Sequence, residues 1–166
     1  MSEHDDDGAP GHESHRLIMV CVDDSDHARL ALHWASRRAA RTGARLALLH
    51  VTPQPDFEHW SGVRDLMETE AREAAEEVLQ TLAAEASEKY GVNPVLYVRM
   101  GTIGAAILEV AEESPELCTL IIGMRSTQRG GGRLVAWLTG HLAGRLKVPL
   151  TVVPGNLTDD QIDQLT

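Results

Sequence analysis

Short runs of consecutive apolar residues alternate along this chain with longer stretches in which apolar positions recur every three or four residues. The first pattern fits a strand buried on both faces, and the second an amphipathic helix. Strands are predicted at 17–22, 46–51, 95–98, 117–122 and 150–153. After the first, Asp23-Asp24-Ser25-Asp26 supplies a turn and helix cap, and Ala28, Ala31, Leu32, Ala35 and Ala39 form a helical stripe ended by Gly43. Pro53 and Pro55 stop the second strand. A long helix from about residue 58 to 90 is predicted on Val63, Met67, Ala71, Ala74, Val78, Leu82 and Ala86, and Gly91 terminates it. Thr102 caps a third helix with Ile103, Ala106, Ile107, Val110 and Ala111 on one face, limited by Pro115. A fourth carries Leu134, Leu138, Leu142 and Leu146. Beyond Pro154 the pattern is weak, with Leu157, Ile162 and Leu165 fitting only a terminal turn. Strands alternating with helices predict one α/β domain, a five-stranded parallel sheet covered on both faces.

At 166 residues, 43% of them hydrophobic, the chain has material for a single core. Residues 1–15 are polar and hold five acids without Lys or Arg, which predicts a disordered acidic tail. His4, His12 and His15 within it repeat no metal-ligand spacing. The domain is expected at 16–154, followed by a C-terminal tail at 155–166. The net charge is −10, but the two tails carry eight of the acids and leave 17 against 15 Lys and Arg. With aromatic residues at 4% and no basic patch, nucleic-acid binding is disfavoured. Cys21 and Cys118 lie in or beside apolar runs and read as buried thiols. No apolar run spans a membrane and no secretory signal is seen, so a cytoplasmic location is expected.

Ligands of open α/β sheets sit beyond the carboxyl ends of the strands. The richest such end is Gly123, followed by Arg125, Ser126, Arg129, Gly130, Gly131, Gly132 and Arg133, whose backbone N–H groups and positive charge suit a phosphate. Asp23, at the end of the first strand, is read in two ways: as an acceptor for a ribose hydroxyl or exocyclic amine, and as a turn residue helping Ser25 or Asp26 cap the next helix. His50, His33 and His141 are candidates for acid/base work by residue type, yet sequence spacing alone defends no catalytic partner for any of them. His50 reads as a sheet residue near the crevice, His33 as a helix-surface residue and His141 as a helix residue.

The segments at 18–26, 48–51, 101–111, 120–123 and 148–153, in this order and spacing, resemble the universal stress protein family over nearly all of 16–154. The resemblance implies a Rossmann-like sheet of order 3-2-1-4-5 and dimers joined through the last strand, 150–153. An apolar edge strand invites the same pairing on physical grounds. In nucleotide-binding members, an aspartate after strand one and the backbone after strand two hold adenosine, positions that fall on Asp23 and Val51. Their phosphate loop reads Gly, two residues, Gly, nine residues, Gly, then Ser or Thr. Here Gly123 keeps the first place, whereas Ser126, Ala136 and Trp137 occupy the others. A Cβ at Ser126 costs about 1 kcal/mol wherever positive φ is needed. The expected function is a dimeric, non-catalytic stress-response or signalling module with an adenine-nucleotide crevice, for AMP or for ATP with magnesium, whose phosphate-binding half is degraded. The alternative is an ATP-binding stress protein with weak hydrolysis, using Gly130, Gly131, Gly132 and Arg133, with Arg125, as a substitute phosphate cradle. A phosphate-transfer enzyme lacks the P-loop pattern, and a receiver domain would need an aspartate after strand three where Arg99-Met100-Gly101 stands.

Overall fold

Side chains along a strand point alternately to opposite faces of a sheet, so an apolar run with no polar interruption must be covered twice. The computed structural model, which describes residues 16–54, 61–125, 138, 140–142 and 144–166, shows how this is done. The strands β1 (Leu17–Cys21), β2 (Arg45–Thr52), β3 (Val95–Met100), β4 (Leu117–Met124) and β5 (Leu150–Pro154) form one parallel sheet of order β3-β2-β1-β4-β5. The expected fold class and strand order are both observed. Ile18, Val20, Leu46, Leu48 and Ile121 face the helices α1 (Asp26–Thr42) and α2 (Ser61–Tyr90). Leu17, Met19, Leu49, Leu120 and Ile122 face the other way, towards α3 (Ile103–Glu113) and the helical residues Leu138 and Leu142. No helix among the described residues is long and apolar enough to cross a membrane.

Local chemistry sets the helix ends. The Ser25 hydroxyl accepts a bond of 3.2 Å from the Ala28 N–H and starts α1, and Gly43, at φ 69°, ends it in the left-handed region. The Thr102 hydroxyl caps α3 in the same way, accepting from the Ala105 N–H. α3 stops at Glu113, just before Pro115, because a proline disfavours helical backbone in the residue ahead of it.

Three expectations are corrected. In α2 the buried face is Ala75, Leu79, Leu82 and Ala86, whereas Val63 is 48% and Met67 36% exposed and Ala74 is exposed. Thirty residues make a helix of about 45 Å. The eight-residue β2 reaches roughly 27 Å, so the first half of α2 has no sheet left to pack on. Leu146 continues the expected apolar stripe of the fourth helix, but it follows a turn at 144–145 and is not helical; Leu134 lies outside the described residues. The segment after Pro154 is more than a turn. It forms α4 (Asp159–Leu165), started by a capping box in which the Thr158 hydroxyl accepts from the Gln161 N–H and the Gln161 side chain accepts from the Thr158 N–H. Ile162 anchors it, fully buried, while Leu165 is 63% exposed. The 1–15 tail lies outside the described residues.

Candidate functional site

The sheet order reverses at β1, which has β2 on one side and β4 on the other. The chains leaving β1 and β4 turn to opposite faces, α1 to one and the helical residues Leu138 and Leu142 to the other, and a crevice opens at their carboxyl ends. Its volume is about 300 Å³, and it is lined by Cys21, Val22, Asp23, His27, Ala28, Leu49, Val51, Pro53, Gly101, Ile103, Ile122 and Gly123. That volume lies at the small end of the range of pockets for organic ligands.

Asp23 fulfils the turn reading. Its Oδ1 accepts the Ser25 N–H at 2.9 Å and also the Ser25 hydroxyl. The Ser25 Oγ in turn sits 3.2 Å from His27 Nε2. Partial burial pushes the Asp23 carboxyl up, but the Ser25 hydroxyl and N–H, with the neighbouring His27 and His50 rings, outweigh this and hold it below the ordinary carboxylate value. The carboxylate is therefore ionised at neutral pH and faces the crevice as an acceptor. His50 sits nearby on β2, with Nδ1 3.0 Å from the Val22 carbonyl oxygen.

Gly123 has a structural reason of its own. A Cβ built there would stand 2.2 Å from the carbonyl oxygen of His27 and 2.7 Å from its carbon. The first turn of α1 thus lies directly on the end of β4, and this contact brings His27 into the crevice wall.

Of the residues expected at a site, Asp23, Val51 and Gly123 come together in the crevice lining. Arg125 follows β4, is exposed, and is not among the described lining residues. Ser126, Gly130, Gly131, Gly132 and Arg133 lie outside the described residues, as do Ala136 and Trp137. Sequence reasoning missed His27, Gly101 and Ile103. Gly101 and Ile103 follow β3 just as Asp23 follows β1, so the strand-end rule could have found them. His27 gave no such signal, because its place depends on how α1 packs.

The cysteines are half-buried rather than buried. Cys21 forms part of the crevice lining, and desolvation pushes its thiol up to about 12. Cys118 packs against the α1 face of the core. His33 is not a surface residue: its side chain is 14% exposed and held by α4. No cluster of three or more His, Cys, Asp or Glu suited to a metal occurs among the described residues.

The model of the universal stress protein family matches residues 15–154 of the chain. No curated protein sequence matches. Among solved structures, the chain is similar to the universal stress protein UspA of Lactobacillus plantarum, with 20% identity, 84% of this chain and 97% of that one covered, and a TM-score of 0.68. It is also similar to a universal stress protein in complex with cAMP (17% identity, 86% and 99% covered, TM-score 0.60). A third likeness is to the universal stress protein of Archaeoglobus fulgidus in complex with dAMP (18% identity, 82% and 96% covered, TM-score 0.56). Likenesses at these identities establish the fold.

Proposed function

The chain belongs to the universal stress protein family, and we propose that it is a non-catalytic, dimeric signalling module whose crevice takes the adenosine part of a nucleotide. The observation that carries this reading is the ionised Asp23 carboxylate beside the apolar crevice at the sheet's reversal point. An acceptor-only group suits ribose hydroxyls or an exocyclic amine. The partly exposed Ile103 and Val51 offer apolar surface for a base, over a floor of buried Leu49 and Ile122, and Val51 also offers a backbone edge. The cAMP and dAMP complexes of similar proteins support the same ligand class.

The phosphate half of the site is degraded in this reading. Ser126, Ala136 and Trp137 stand where the nucleotide-binding pattern has two glycines and a hydroxyl residue. A nucleotide with one phosphate is therefore preferred to ATP, and magnesium would enter only with a triphosphate. A ligand regulates such a module only by binding two of its states with different affinity.

Isothermal titration of AMP and ATP, each with and without magnesium, tests this. The expected result is micromolar AMP binding that disappears in Asp23→Ala. Tighter binding of magnesium-ATP, lost in Arg133→Ala, would instead favour the Gly130, Gly131, Gly132 and Arg133 cradle and an ATP-binding role. No heat from either nucleotide at millimolar concentration would overturn the nucleotide reading.

A further inference from the structure

Residues 155–166 lie beyond the family match, yet they hold a specific place on the outer flank of α1. His33 is the centre of the contact. Its Nδ1 lies 3.0 Å from Asp159 Oδ1 and its Nε2 3.0 Å from Asp163 Oδ1. One turn along α1, Arg37 Nε is 3.0 Å from Asp163 Oδ1 and 3.0 Å from the Thr166 hydroxyl. Between the two acids Ile162 is fully buried, and the Tyr90 ring of α2 packs 5.4 Å from the His33 ring. Asp159, Ile162, Asp163 and Thr166 fall at i, i+3, i+4 and i+7, which is one face of a helix. The seat therefore recognises two carboxylates flanking an aliphatic anchor.

Two observations separate the seat from its present occupant. A cavity of about 600 Å³ continues along α1 and α2 beside α4, lined by Asp26, Arg29, His33, Glu85, Lys89 and Asp159, so α4 leaves the groove partly unfilled; Arg29 is already paired with Glu85 and Asp24, which leaves Lys89, among the described residues, as the cation the cavity offers. The seven residues of α4 are also too few to persist as a helix on their own, whereas the seat's side chains stand on α1 and α2, which are held by the sheet.

We propose that this groove is a docking site for an acidic amphipathic helix of a partner protein, and that α4 is its resident competitor. The partner helix is longer than α4 and carries an aliphatic residue between two acids, with a further acid to meet Lys89 across the cavity. This is helix-in-groove recognition, with polar contacts setting the register.

The test uses the full chain with Ile162→Asp, which releases α4 without altering α1. A fluorescein-labelled peptide of residues 155–166 is the probe, and fluorescence anisotropy the readout. Saturable binding to this variant is expected, about tenfold or more tighter than to the unsubstituted chain, because a tethered competitor acts at millimolar effective concentration. Adding His33→Ala and Arg37→Ala should abolish it. The double variant Asp159→Ala, Asp163→Ala releases the helix through exposed positions and decides the matter if Ile162→Asp unfolds early. Equal binding to the released and unsubstituted chains places the peptide elsewhere and overturns the proposal. So does the absence of binding to a released variant with an unchanged thermal melt. A dimer of the unsubstituted chain that Ile162→Asp dissolves would show tails exchanging between copies, and would overturn the partner reading.

Discussion

At the scale of single residues, the crevice owes its shape to Gly123 and its charge to Asp23. Gly123→Ala places a methyl group against the His27 carbonyl at 2.2 Å, and backbone cannot yield as a flexible side chain would. The variant should lose about 1–3 kcal/mol of stability, read from urea denaturation, with the first turn of α1 displaced from β4. Asp23 makes a prediction about acid. Its folded carboxyl titrates below the ordinary 3.8, so its contribution to stability is complete above that value and is lost as pH falls through the lower, folded one. Denaturation series from pH 6 to pH 2 should show the stability gap between the native chain and Asp23→Asn shrinking towards the acid end. A gap that does not change with pH would mean that the carboxylate gains nothing from Ser25. Asp23 and Gly123 were legible in the sequence because both close apolar runs. His27 was not, since its position comes from a helix lying on a glycine.

At the scale of elements, periodicity located α2 but misread which half of it is core. Val63 and Met67 continue the helical stripe of Leu82 and Ala86 in sequence, yet the sheet is too short to receive them. Leu79→Ala should therefore cost about 2–5 kcal/mol, while Leu66→Ala, at a position 59% exposed, should leave the denaturation midpoint nearly unchanged. Similar losses at both positions would mean that the first half of α2 is packed in solution. The C-terminal segment erred in the opposite direction. Its one deep anchor, Ile162, is too few for a visible stripe, although Thr158 followed three residues later by Gln161 is a capping-box pattern that was available to be read.

For the whole molecule, strand number and parallel pairing followed from apolar runs separated by helices. The order 3-2-1-4-5 did not, because local patterning says nothing of which strands become neighbours; the family resemblance supplied it. That order leaves β3 and β5 at the two edges. An unpaired edge presents free N–H and C=O groups, and the proposed dimer uses those of β5. Val152→Pro removes a donor from this strand and should shift the light-scattering mass towards a monomer. An unchanged dimer would place the interface elsewhere.

Cys21 gives the crevice a property that bears on oxidation. Only a thiolate reacts readily with peroxide or an electrophile, and desolvation pushes the Cys21 thiol up to about 12, so it stays protonated at neutral pH. The sulfur in the crevice wall should therefore resist oxidants that convert exposed, low-pKa cysteines to sulfenic acids, and the ligand site should be spared that modification.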